Sequence, residues 1–146
     1  MKLPEKLEPI KLSLNLPISQ QHAWDFWLNP ELRSKWWSPE VVLEGRLYGR
    51  FIEPWRDDAG NIVVTRGEVI EIKAPELLRF TWADPGWNAA TLVSLTIQLF
   101  KKGSHLDLLH SGWEHLRDSA RFKLCKAHTE GWVELLDRLE KTAAGT

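Results

Sequence analysis

An α+β fold, a curved antiparallel sheet of about six or seven strands around one long C-terminal helix, is predicted by three features of the sequence. Segments of alternating apolar and polar residues occupy Ile10–Leu16 and recur, divided by turn signals, from 41 to 113. Two short helical patterns lie between those regions. Residues 117–141 then carry apolar side chains at alternating spacings of three and four.

Each element follows from local chemistry. Ile10, Leu12, Leu14 and Leu16 alternate as one strand face, and Pro17 ends that strand. Ser19 is a suitable N-cap for a helix to about Leu28, whose Ala23, Trp24, Trp27 and Leu28 form one stripe. Asn29-Pro30-Glu31 starts a second helix with a cap, a proline at the first position and an acid facing the dipole. It should end near Trp36-Trp37, because Pro39 follows. Turn signals at 57–61, 74–76, 84–86 and 101–104 then separate strands at 49–55, 63–72, Leu77–Trp82, Thr91–Phe100 and 105–113. Leu78, Phe80 and Trp82 share one face, as do Val93, Leu95, Ile97 and Leu99, so each strand buries one side.

In the last helix, Phe122, Cys125, Thr129, Trp132, Leu136 and Leu139 form a single seam, and Trp132 and Leu136 are expected to face the sheet. A helix of that length spans about 35 Å, enough to cross a sheet. Gly131 lies inside it at a cost of about 1 kcal/mol relative to alanine. It either lets another backbone approach closely or leaves room beside Trp132.

With 146 residues and 43% hydrophobic side chains, the chain can bury a core without disulfides or metal. One domain over 1–146, with its core at about 10–141, is the expectation. A net charge of −1 gives no general reason to bind nucleic acid or an anionic membrane. A single cysteine, the absence of a signal-peptide pattern and the absence of a long apolar run fit a soluble cytoplasmic protein. Nine tryptophans are the unusual feature and point to a wide core or an aromatic-lined pocket.

Several segments together resemble a known family. They are Ala23-Trp24, Pro30-Glu31-Leu32 and Trp36-Trp37; Gly67 through Glu71; Pro75 through Trp82; His110-Ser111-Gly112-Trp113; and Gly131-Trp132 with Leu135, Leu136 and Leu139. In this order they resemble the START-like (SRPBCC) superfamily, and within it homologues of the activator of the ninety-kilodalton heat-shock protein's ATPase. The resemblance implies the helix-grip fold. It also implies three alternative functions: a carrier of a small apolar or aromatic molecule, a module that binds a heat-shock chaperone in the stress response, or a cyclase or dehydratase. The eukaryotic activator carries an additional N-terminal domain for which this chain has no room, which weighs against the chaperone role. One departure is local. The family often has a Gly-Gly pair before its third strand, where this chain has Tyr48-Gly49.

The chemistry-bearing residues narrow these alternatives. The five histidines, His22, His105, His110, His115 and His128, show no helical metal-ligand spacing, so neither metal nor cofactor is expected. Cys125 falls on the apolar seam, and Ser111 points away from its neighbour His110, so no nucleophile is paired with a base and no catalytic residue is assigned. His110 shares strand parity with Leu106 and Leu108 and faces the helix, either as a packed histidine or as a polar anchor. Glu53 shares a face with Phe51 and Trp55 and lies either at a cavity mouth or buried with a raised pKa. The resemblance places Trp37, Phe51, Trp55, Phe80, Trp82, Trp113, Phe122 and Trp132 around the space between sheet and helix, which they either fill or wall as a cleft. With Glu53, His110 and Leu136 they make the candidate ligand-binding set. Arg33, Lys35 and Arg46 form a mild basic patch expected at the surface.

Overall fold

The computed structural model describes residues 7–117 and 119–146. Seven antiparallel strands form one sheet in the order β1-β7-β6-β5-β4-β3-β2. They are β1 (Ile10–Leu16), β2 (Val42–Leu43), β3 (Arg50–Arg56), β4 (Ile62–Lys73), β5 (Leu77–Trp82), β6 (Thr91–Phe100) and β7 (Gly103–Ser111). The chain leaves β1 at one edge and crosses to β2 at the other through α1 (Gln20–Leu28) and α2 (Pro30–Ser34). It then returns as a meander until β7 pairs with β1, His110 opposite Ile10. The final helix, α3 (Arg121–Ala144), packs on β1. This is the α+β helix-grip architecture that the sequence predicts. Among the described residues no helix is long and apolar enough to cross a membrane.

The helix starts follow their capping residues. Ser19 Oγ accepts from His22 N–H at 3.0 Å, and Asn29 Oδ1 accepts from Glu31 and Leu32 N–H at 2.9 and 3.2 Å. The start of α3 is later than predicted. The Asn88 side chain donates to His115 O and accepts from Arg117 N–H, which holds that segment out of the helix. Helical geometry begins only at Arg121. Phe122 therefore falls in the first turn of α3, 43% exposed, and of the predicted seam only Trp132, Leu136 and Leu139 are buried, with Ala143 joining them further along the helix. The last predicted strand is shifted two residues towards the N-terminus, with its length unchanged. β7 stops at Ser111, Gly112 takes φ +95°, and Trp113 opens a single 3-10 turn.

Burial on β5 and β6 follows the alternation, with one exception. Leu78, Phe80, Val93, Leu95 and Ile97 are fully buried, but Leu99 is 78% exposed. The cover over β6 ends where the Gln20 side chain of α1 donates to Ile97 O, so the hairpin tip projects beyond the core. The basic patch also needs correction, because Arg33 is buried. Its guanidinium donates to Trp27 O at 2.9 Å and to Val41 O at 3.0 Å, satisfying a carbonyl in the last turn of α1.

Two glycine-related positions bear on the site. A side chain at Gly67 would place its Cβ 1.7 Å from Thr81 O, so glycine permits the close approach of β4 to β5 beside the β-bulge at Val69 and Glu71. Tyr48 stands where the family often has glycine and adopts φ +64°, with its ring 66% exposed.

Candidate functional site

Aromatic rings fill the deep space between sheet and helix. Trp37 lies 5.8 Å from Phe51 and 5.6 Å from Trp132, between ring centroids. Phe51 is 4.9 Å from both Phe80 and Trp82, and Trp82 is 5.4 Å from Trp132. These separations fall in the range of favourable aromatic packing. The rings thus form a continuous wall that crosses from β3 and β5 to α3.

At one end of that wall a cleft of about 280 Å³ stays open to solvent between β3, β4, β5 and α3. Glu53 and Trp55 face it from β3, Thr65 from β4 and Trp82 from β5. The α3 side is made by Ala127, His128, Gly131, Trp132 and Leu135. Strand pairing explains the polar corner, because Glu53 and Thr65 are register partners on the same face. Gly131 contributes empty space. A Cβ built there meets nothing within 4 Å, so the second of its two sequence-based explanations holds and no backbone approaches it closely.

Four of the predicted residues line this cleft: Glu53, Trp55, Trp82 and Trp132. Trp37, Phe51, Phe80, His110 and Trp113 are buried within or behind the wall. Leu136 faces a separate hollow beside Leu12 and Leu14 of β1, and Phe122 lies at the surface under the Arg121 guanidinium. Thr65, Ala127, His128, Gly131 and Leu135 lie outside the predicted set. His128 stands one helical turn before Trp132, and that i, i+4 relation was the available signal.

The electrostatics centre on Glu53. Its Oε2 accepts from Trp37 Nε1–H at 2.7 Å. Burial drives its pKa up to about 7; the Trp37 hydrogen bond opposes this, and nearby Asp84 adds to it. Asp84 Oδ1 accepts from the Thr65 hydroxyl at 2.5 Å, and Thr65 Oγ1 accepts from Trp55 Nε1–H at 2.9 Å. His128 donates from Nδ1 to Leu124 O at 2.8 Å, which leaves Nε2 to accept from Trp82 Nε1–H at 3.2 Å. Burial lowers its pKa, so the ring is neutral near pH 7.

His110 belongs to a different, sealed chain of hydrogen bonds. Trp132 Nε1–H donates to His110 Nδ1 at 3.0 Å, which puts the ring proton on Nε2. That proton goes to Thr91 Oγ1 at 2.7 Å, and the Thr91 hydroxyl donates to Trp82 O at 2.8 Å. Burial holds the His110 pKa well below the usual histidine value. The ring ties α3 to β5 through β6 and β7 and has no nitrogen free for a ligand. His110→Phe keeps the ring volume but strands the buried Trp132 donor, so stability falls by about 1–3 kcal/mol in urea denaturation.

The family is shown by comparison of the sequence with known proteins. The family model described as Activator of Hsp90 ATPase homolog 1-like protein matches residues 17–144. The chain belongs to that family. Among solved structures, a Mesorhizobium loti protein is 20% identical at a TM-score of 0.76, over 95% of this chain and 98% of its own. A Chromobacterium violaceum protein is 21% identical at 0.74, over 92% and 96%. The Aha1 dimer from Colwellia psychrerythraea, solved in solution, is 15% identical at 0.70, over 94% and 96%. At these identities the likeness is one of fold. Comparison with curated proteins gives no match. In this Activator of Hsp90 ATPase homolog 1-like chain the site is therefore defined by its own residues.

Proposed function

We propose that this protein binds a small apolar or aromatic molecule in the cleft between β3–β5 and α3. One observation carries the reading: an open space of about 280 Å³ walled by Trp55, Trp82 and Trp132, with Glu53 as a polar group at its corner. Small-molecule sites are typically concave and mostly apolar, with a few placed polar groups, and begin at about 300 Å³. The size fits one or two rings.

Gly131 allows a test that spares the fold. Leucine at this position projects into open space and gains helix propensity, worth up to about 1 kcal/mol. Gly131→Leu is therefore at least as stable as the wild type, and it loses about tenfold or more of the affinity for 2-naphthol, read by tryptophan fluorescence. Unchanged affinity in a folded Gly131→Leu protein places binding elsewhere and overturns the proposal.

A further inference from the structure

We infer that the cleft selects a cation, a small ammonium group carried on an apolar or aromatic body. The inference rests on the binding reading above and deepens it. The argument is an inventory of hydrogen-bonding capacity. Among the described residues every side-chain donor that lines or backs the cleft is already engaged. The indole N–H groups of Trp37, Trp55, Trp82 and Trp132 go to Glu53, Thr65, His128 and His110. The Thr65 hydroxyl goes to Asp84 and the His128 N–H to Leu124 O. An anionic ligand would find no donor in this wall to replace its hydration.

The acceptor side is different. Glu53 receives one hydrogen bond, at Oε2, and its Oε1 has no protein donor among the described residues. Neither lysine nor arginine lines the cleft among those residues. The groups facing Glu53 are Asp84 after β5 and His128 on α3, so its neighbours add a second acid and a neutral ring, not a counter-charge. An ammonium group entering here gains a carboxylate partner beside the aromatic rings of Trp55, Trp82 and Trp132, a combination that favours organic cations. Its apolar body occupies the space beside Gly131, Ala127 and Leu135. Because burial places the Glu53 midpoint at about 7, the carboxylate is present above neutral pH and mostly protonated one unit below it.

The test compares three probes of similar size by calorimetry: benzyltrimethylammonium, its neutral near-isostere benzyl dimethyl carbinol, and phenylacetate. At pH 8 the cation binds wild type about tenfold or more tightly than the carbinol, and phenylacetate binds weakest. Lowering the pH to 6 weakens the cation severalfold and leaves the carbinol unchanged. Glu53→Gln, confirmed folded by its thermal melt, removes most of the cation's advantage at pH 8 while the carbinol keeps its affinity. Equal or tighter binding of the carbinol or of phenylacetate overturns cation selectivity but leaves the cleft as a binding site. An undiminished cation advantage in Glu53→Gln also overturns the inference. Failure of all three probes to bind overturns this inference, and if 2-naphthol also fails to bind the proposed function falls with it.

Discussion

Trp132→Ala loses about 3–5 kcal/mol of stability, the range for removing a large aromatic side chain that its surroundings cannot collapse around. Trp132 is 2% exposed and touches rings from three other parts of the chain: Trp27 on α1, Trp37 after α2 and Trp82 on β5. These neighbours are held by other contacts, such as the Trp37 bond to Glu53, so they cannot move together to close the gap. The substitution also removes the donor to His110 Nδ1. Trp132→Phe separates the two effects, since it restores most of the apolar volume but not the N–H. It loses about 1–3 kcal/mol. Urea denaturation at constant m-value measures both variants. A loss near zero for Trp132→Ala would mean that α3 does not seat this ring against the sheet.

Glu53→Gln acts in the opposite direction. The folded carboxyl titrates at about 7 against an ordinary glutamate value of 4.5, so between these pH values the folded state holds a proton that the unfolded state has released. Stability from this group therefore falls as pH rises from about 4.5 to 7, and the ionised carboxylate remains a burden above that. Glutamine stays neutral and still offers an oxygen to Trp37 N–H. At pH 8 the variant is more stable than wild type by roughly 2–3 kcal/mol, at about 1.4 kcal/mol for each pH unit separating the two midpoints, less some screening at the open cleft. The difference closes as pH falls towards 4.5. His110, fully buried, and His128, half-buried in the cleft wall, have lowered pKa values and weaken the fold on the acid side, below about 6.5. Both proteins share that contribution, so it cancels in the comparison. Thermal melts across pH 5–8 read the result, and parallel curves for the two proteins would contradict a buried, perturbed carboxyl. A residue that lowers stability where it stands is in keeping with a role in binding.

The strands were legible because their signals are local. Leu77–Trp82 and Thr91–Phe100 each lie between proline- or glycine-containing turns and alternate without interruption, and the structure places both with those bounds. Ser19 and Asn29 capped their helices for the same reason. The misreadings came from partners that no local pattern records. Asn88 delays α3, and no pattern near 117 records a hydrogen bond to residue 88. Arg33 looked like surface because the carbonyl of Trp27 and that of Val41 converge on it only after the chain turns between them. The site was legible in its aromatic and acidic residues but not in its position. Parity brings Glu53, Trp55 and Trp82 to the inner face, yet where the rings stop filling the interior depends on the missing side chain at Gly131 and on where His128 falls on α3. His110 carried the clearest strand parity of any polar residue, but strand parity alone does not reveal that Trp132 and Thr91 use both of its nitrogens.

The central claim is that the cleft beside Gly131 receives a ligand, and the indole N–H resonances of the nine tryptophans read it most directly. In a nitrogen-proton correlation spectrum titrated with 2-naphthol, the signals of Trp55, Trp82 and Trp132 shift together with one saturation curve, because these three rings face the space. The signal of Trp24, on α1 and outside the cleft lining, stays in place. Shifts at Trp24 without change at Trp55, Trp82 and Trp132, or no saturable shift at any indole, would contradict the account.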